Sequence, residues 1–314
     1  MSLLVVGSVA FDDVRTPFGE ALGVLGGSAT YFSVAASYFA NVNLVAVVGE
    51  DFPEDGIQLF RDHQVNIDGL ERRLGKTFHW KGEYGFDLNE AKTLATHLNV
   101  FETFEPKIPP AYRQSPYVFL ANIDPSLQLQ VLEQMDSPEL VACDTMNFWI
   151  GGKPEELKKT LRYVDILVIN DGETRELAQE ANIYKAAQSI LNMGPTTLII
   201  KRGEYGALMF NETKVFAAPA YPLEAVFDPT GAGDSFAGGF MGYLASVQNV
   251  TDATIRQAII MGSVMASFNV EAFSLERLKA VTYDEIQERF KAFRRLVHFD
   301  DLESDDIIVP RLGI

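Results

Sequence analysis

Short apolar runs recur along the chain at residues 3–6, 44–48, 117–120, 140–143, 166–169 and 198–200. Gly, Asp or Asn bound them, and they read as strands buried on both faces of a parallel sheet. Between them, residues 28–39, 125–135, 153–162, 173–180 and 184–193 carry helical spacing. Strands alternating with helices predict a doubly wound α/β sheet flanked by helices. From Phe236 to Arg295 the pattern is almost wholly helical. Two segments, about 13–25 and 73–104, break the alternation. In the second, Phe78, Trp80, Tyr84 and Phe86 recur at a period of two, the pattern of strands with one apolar face. A small sheet folded over the main body is the expectation, within a single domain spanning residues 1–314.

Composition changes this picture little, since 47% apolar and 22% charged residues are ordinary for a globular chain. Charge changes it more. A formal net charge of −17 argues against polymeric nucleic acid or an anionic membrane surface as partner. A small anionic ligand held by backbone N–H groups or a metal ion remains compatible with it. Cys143 is the only cysteine and lies in an apolar run, so it reads as a buried hydrophobe in a reducing compartment. The start of the chain lacks a basic stretch and a long apolar core, and no run of roughly 20 apolar residues occurs. A cytoplasmic protein is expected. The four histidines, His63, His79, His97 and His298, show no metal-ligand spacing. Residues 299–306 form an acidic stretch that reads as solvated surface.

The chemistry concentrates in Asp228-Pro229-Thr230-Gly231-Ala232-Gly233-Asp234, where the strand-like run Ala225-Val226-Phe227 passes into a helical stretch. Gly231, Ala232 and Gly233 let backbone approach a ligand closely. The first turn of the helix adds free N–H groups and a positive dipole end. Together they predict an anion hole for a transferring phosphoryl group. Asp234 is then positioned as the base that takes the proton of an attacking hydroxyl. The plainer alternatives are a dipole-complementing Asp234 and a turn-capping Asp228. Gly238, Gly239 and Gly242 cost about 1 kcal/mol each against Ala inside a helix, which suggests close packing beside the site. Neither a dinucleotide fingerprint after the first strand nor a P-loop is present.

The run from Asp228 to Gly239 resembles the C-terminal signature of the ribokinase-like, or PfkB-type, carbohydrate kinases, and the order of other segments matches along nearly the whole chain. The resemblance implies a ribokinase-like fold with a small β-sheet lid, ATP and Mg²⁺ as cofactors, and γ-phosphoryl transfer to a hydroxymethyl group of a sugar or sugar-like acceptor. Gly26 and Gly27 resemble the family's diglycine, and Asp12 stands where an aspartate binds acceptor hydroxyls. Tyr31 replaces an asparagine of that acceptor site. Asn170-Asp171-Gly172-Glu173 resembles the Asn-x-x-Glu motif linked to phosphate and Mg²⁺, with Glu173 on the metal side. Lys201, Gly203 and Gly206 stand in the nucleotide loop, and Thr230 and Asn269 complete the expected nucleotide set. Phe273-Ser274 stands where the family often has the Gly-Ala of a monovalent-cation site. Asp144-Thr145-Met146-Asn147 only loosely resembles an Asp-x-Asn-x-Arg stretch and lacks its Arg.

Each candidate has a bland counterpart. Asp12 could be a turn residue, Glu173 a first-turn glutamate and Lys201 a solvated strand end. Asn122 and Asp124 follow a strand at its C-terminal end, where open α/β sheets place ligands, so Asn122 joins the acceptor set. The aromatic stripe could wall a sugar or base, form the buried face of the lid, or make a homodimer contact. A nucleoside kinase is the nearest alternative activity, and a catalytically silent ligand-binding regulator is the alternative outside enzymes.

Overall fold

The computed structural model describes residues 1–212 and 214–298; the acidic stretch at 299–306 lies outside the described residues. The strands are β1 (Ser2–Val6), β2 (Ala10–Thr16), β3 (Gly19–Gly26), β4 (Asn41–Gly49), β5 (Asn66–Arg73), β6 (Phe78–Tyr84), β7 (Ala91–His97), β8 (Tyr117–Leu120), β9 (Leu140–Cys143), β10 (Ile166–Asn170), β11 (Thr197–Lys201), β12 (Ala207–Asn211) and β13 (Val215–Ala218). The helices are α1 (Ser28–Ser37), α2 (Glu54–Asp62), α3 (Pro125–Leu132), α4 (Asn147–Gly152), α5 (Pro154–Leu161), α6 (Asp171–Ala178), α7 (Ile183–Leu191), α8 (Ala232–Val247), α9 (Asp252–Asn269) and α10 (Tyr283–Val297).

The main sheet has the order β13-β12-β11-β10-β9-β8-β1-β4-β5. Neighbours from β5 through β11 pair in parallel, and β12 and β13 close the other edge antiparallel. Successive strand residues point to opposite faces, so a sheet covered on both sides needs apolar residues in unbroken runs. Leu3 and Val5 of β1 accordingly enter one core with Phe32 of α1, Phe240 of α8 and Ile259 of α9. Leu4 and Val6 enter the other with Val131 of α3, Leu157 of α5 and Ile190 of α7. The six runs at 3–6, 44–48, 117–120, 140–143, 166–169 and 198–200 all form strands. β5, β12 and β13 are additions at the edges, where one polar face or a short hairpin hides the signal. No helix of the described residues is long and apolar enough to cross a membrane.

One expected strand is corrected. Ala225-Val226-Phe227 pairs in no sheet. Its polar backbone is taken up elsewhere: the Phe227 N–H donates to Val270 O at 2.9 Å, and the Thr16 hydroxyl donates to Phe227 O at 2.9 Å. The run is an extended strap between the end of α9 and the lid.

The lid is a second sheet of order β3-β2-β6-β7. Its strands fall within the two segments that broke the helix–strand alternation, although β2 begins earlier, at Ala10, and residues 99–104 turn back into the main body. Phe78 stacks on Phe101 (5.4 Å between centroids), which stacks on Phe104 (5.5 Å), a buried member of the main core. Phe78 is thus the hinge-side anchor of the lid. The α8 glycines are explained by packing: a Cβ on Gly238 would lie 2.4 Å from Phe32 O of α1, and one on Gly239 2.7 Å from the Met265 side chain of α9. Small residues let α8 lie close against both helices, which fixes where its N-terminus points.

Candidate active site

In the main sheet β1 is flanked by β4 on one side and β8 on the other, so successive crossovers leave it in opposite directions. A crevice opens at the carboxyl ends of such strands. From that end of β1 the chain runs straight into β2, which hangs the lid over the crevice and delivers Asp12. Asp12 is buried, and a Cβ on Gly26 would lie 1.8 Å from its Oδ2. Gly27, at φ 92°, passes so close to Ser8 that an added Cβ would come 2.6 Å from Ser8 O. The diglycine is the recess that holds the carboxyl group. Burial, reinforced by Asp228, pushes the Asp12 carboxyl up to about 8, with the Gly27 N–H working the other way.

The turn expected to form an anion hole is braced. Asp228 Oδ1 accepts from the Thr230 N–H at 2.9 Å, and Oδ2 accepts from the Ser274 N–H at 3.0 Å. The Asn269 amide donates to Thr230 O at 2.7 Å, and Asn269 Oδ1 accepts from the Ser235 hydroxyl at 3.2 Å. Asn269 is fully buried behind the turn and acts on the site through it. Gly231, at φ 74°, starts α8 in a left-handed conformation, with the buried Tyr31 ring 2.4 Å from where its Cβ would be. Tyr31 is therefore a floor beneath the turn. The Ala232 N–H turns to Pro229 O, while the N–H groups of Gly233 and Asp234 bond no backbone carbonyl among the described residues. The Asp234 N–H turns to its own carboxylate, and the Gly233 N–H and the helix dipole face the site.

Asp234 stands in the first turn of α8. Burial, then the charge of Asp144, pushes its carboxyl up to about 7, against the pull of Lys201. Lys201 ends β11 with its ammonium 3.0 Å from Asp144 Oδ2 and against Gly233, whose Cβ would lie 2.9 Å from Nζ. Burial opposes its charge, but Asp144, Glu173 and Asp234 together hold its pKa above the ordinary lysine value. The solvated-strand-end reading of Lys201 is thereby corrected. Glu173 forms a reciprocal cap with Asn170: the Glu173 N–H donates to Asn170 Oδ1 at 2.7 Å, and the Asn170 N–H donates to Glu173 Oε2 at 2.8 Å. The capping role of a first-turn glutamate is thus present. Burial and Asp144 raise the Glu173 carboxyl to about 7.

Beside this cluster lies a cleft of about 550 Å³, lined by Lys201, Gly203, Gly206, Gly233, Ser263 and Ser267 among others. That volume suits a nucleotide. Among the described residues no group of three or more His, Cys, Asp or Glu side chains could hold a metal by itself. Asn122 is engaged elsewhere, its Oδ1 accepting from the Trp149 indole at 3.0 Å, and Asp124 caps α3 and pairs with Lys153. Two contributors carry only weak signals in the sequence. Asp144 belongs to a loose motif. Tyr84 was read within a stripe, yet its hydroxyl meets the Thr230 hydroxyl at 3.3 Å, tying the lid to the anion-hole turn.

Residues 19–278 match the pfkB family of carbohydrate kinases. A cytidine kinase of Thermococcus kodakarensis is 28% identical over 250 residues, covering 77% of this chain and 87% of the relative. A nucleoside kinase of Methanothermobacter thermautotrophicus is 29% identical over 301 residues, covering 86% and 89%. The crystal structure of Methanocaldococcus jannaschii nucleoside kinase superimposes with a TM-score of 0.74 at 22% identity, covering 93% of this chain and 98% of that one. The fold and site define a phosphotransferase with an alcohol group as acceptor. The chain belongs to the pfkB family and is a sugar or nucleoside kinase of ribokinase-like fold.

Proposed function

We propose that this chain transfers the γ-phosphoryl group of ATP to the hydroxymethyl group on the pentose of a nucleoside, with Asp234 as general base. The observation that carries the base assignment is the position of Asp234 in the first turn of α8 beside the Gly233 N–H and the Lys201 ammonium, with burial raising its carboxyl to about 7. A base tuned near neutral pH accepts a proton without being protonated beforehand. The acceptor O–H gives its proton to Asp234 as its oxygen bonds to the γ-phosphorus; the bond to the β,γ-bridging oxygen breaks and ADP leaves. The Gly233 N–H and the Lys201 ammonium offset the charge on the phosphoryl oxygens. Mg²⁺ would neutralise phosphate charge, and Glu173 is the residue suited to hold it.

The nucleoside acceptor is supported by the sequence relatives that cover most of this chain, and by the lid. Asp12 suits two adjacent hydroxyls. Trp80, paired with Asp12 across β2 and β6, offers an apolar surface for a base on the same lid. The test is ADP release with Mg²⁺-ATP and a panel of cytidine, uridine, adenosine, guanosine and inosine beside ribose, deoxyribose, fructose and inositol. At least one nucleoside should exceed every free sugar in kcat/KM by roughly 10- to 200-fold, the scale of apolar contact that a free sugar, lacking the base, cannot make. A free sugar turned over as well as any nucleoside defeats the acceptor assignment.

A further inference from the structure

The lid ends where the nucleotide cleft begins. β6 runs from the acceptor side, where Trp80 pairs with Asp12, to Tyr84 at the anion-hole turn. The turn that follows, Phe86, Asp87, Leu88 and Asn89, lines the same cleft as Lys201, Gly203 and Gly206. Phe86 is 89% exposed, and no ring packs on it among the described residues. A lone exposed aromatic is unremarkable by itself. This one stands on the wall of a nucleotide-sized cleft, and the tip carrying it is docked: a Cβ on Gly203, at φ 53°, would lie 2.1 Å from Asn89 Oδ1. The glycine loop is therefore shaped to receive the lid tip as well as a ligand.

We propose that the lid tip is part of the nucleotide site, with Phe86 stacking on the adenine base and Asn89 seating the tip on Gly203. This rests on the nucleotide reading of the cleft. One hairpin then touches both substrates, so nucleotide binding holds the lid over the acceptor, and the acceptor in turn tightens nucleotide binding by the same factor.

The test is calorimetric titration of the whole chain with Mg²⁺-ADP, which needs no acceptor. Phe86→Ala should weaken ADP about tenfold, in line with aromatic–base stacking. Leu94→Ala, an exposed change on β7 away from the tip, should leave it unchanged. Phe86→Trp should keep the affinity and change its emission on adding Mg²⁺-ADP. An ADP affinity in Phe86→Ala within twofold of wild type, or a Phe86→Trp emission indifferent to ADP, overturns the assignment while leaving the kinase reading intact. Wild type that fails to bind Mg²⁺-ADP removes both.

Discussion

The Lys201 ammonium lies 3.0 Å from Asp144 Oδ2, with β10 between the strands that deliver the two residues. Their side chains are only 18% and 8% exposed. Lys201 also stands against Gly233 and within the field of Asp234 and Glu173. On the nucleotide reading proposed above, three carboxylates here would repel a phosphate, and Lys201, held by Asp144, would offset that repulsion.

If Asp234 is the base, Asp234→Asn keeps shape and volume but removes proton acceptance. Its kcat should fall about 100-fold or more, the usual scale of general-base catalysis, while ADP affinity and melting temperature change little. Steady-state kinetics beside calorimetry separates the two. Near-wild-type turnover would reduce Asp234 to a helix-dipole residue.

The electrostatics around Asp234 also predict a pH signature. The base works only when deprotonated, so kcat/KM should rise with pH through about 7. Asp144 raises the Asp234 pKa and Lys201 lowers it. Asp144→Asn should therefore move the acid limb to lower pH, and Lys201→Met to higher pH. Parallel pH–rate profiles of the three proteins check both directions; limbs that stay put would separate this pair from the base.

The sheet was legible because a strand covered on both faces must be apolar throughout, as in Ile166 to Ile169. Asp234 was legible because the turn before it needs glycine at positive φ, and that need writes itself locally as Gly231-Ala232-Gly233. The strand misassigned at Ala225-Val226-Phe227 shows the limit: apolar residues can form a strap whose partners, Thr16 and Val270, lie far away in sequence. Asp144 shows only as a loose motif for a related reason. Its importance comes from Lys201, 57 positions on, and only the parallel register joins them. Asn269 was placed among nucleotide contacts, yet its amide is spent on Thr230 and Ser235, a distinction that depends on which way a side chain turns.

Gly231→Ala should be costly on two counts. Left-handed φ costs a residue with Cβ about 1–2 kcal/mol. The added methyl would also meet the Tyr31 ring at 2.4 Å, in a buried place where overpacking costs typically 1–3 kcal/mol. Denaturant unfolding should show a loss of at least about 2 kcal/mol, with kcat lowered as the turn shifts. A variant as stable and active as wild type would mean that the turn tolerates another path.

Asp12, the proposed acceptor ligand, also bears on the stability of the free enzyme. Its carboxyl titrates near 8 when folded, chiefly through burial and Asp228, against an ordinary value of 3.8. Between those values the folded chain keeps a proton that the unfolded chain has lost. Stability from this group is thus complete below about pH 4, declines as pH rises, and is gone above about 8. Asp12→Asn has no such proton to lose. Compared with wild type, its melting temperature should gain steadily from pH 5 to pH 8.5, because the other titrating carboxyls contribute to both proteins alike. A difference independent of pH would show that Asp12 is ionised throughout. The same substitution site reports on function: Asp12→Ala should weaken acceptor binding by about 1–3 kcal/mol, the scale of a buried hydrogen bond left unmade, with ADP affinity unchanged. Removing the paired hydroxyls from the acceptor should then cost wild type about as much and the variant little. Additive losses in that double cycle on kcat/KM would place the acceptor away from the end of β1.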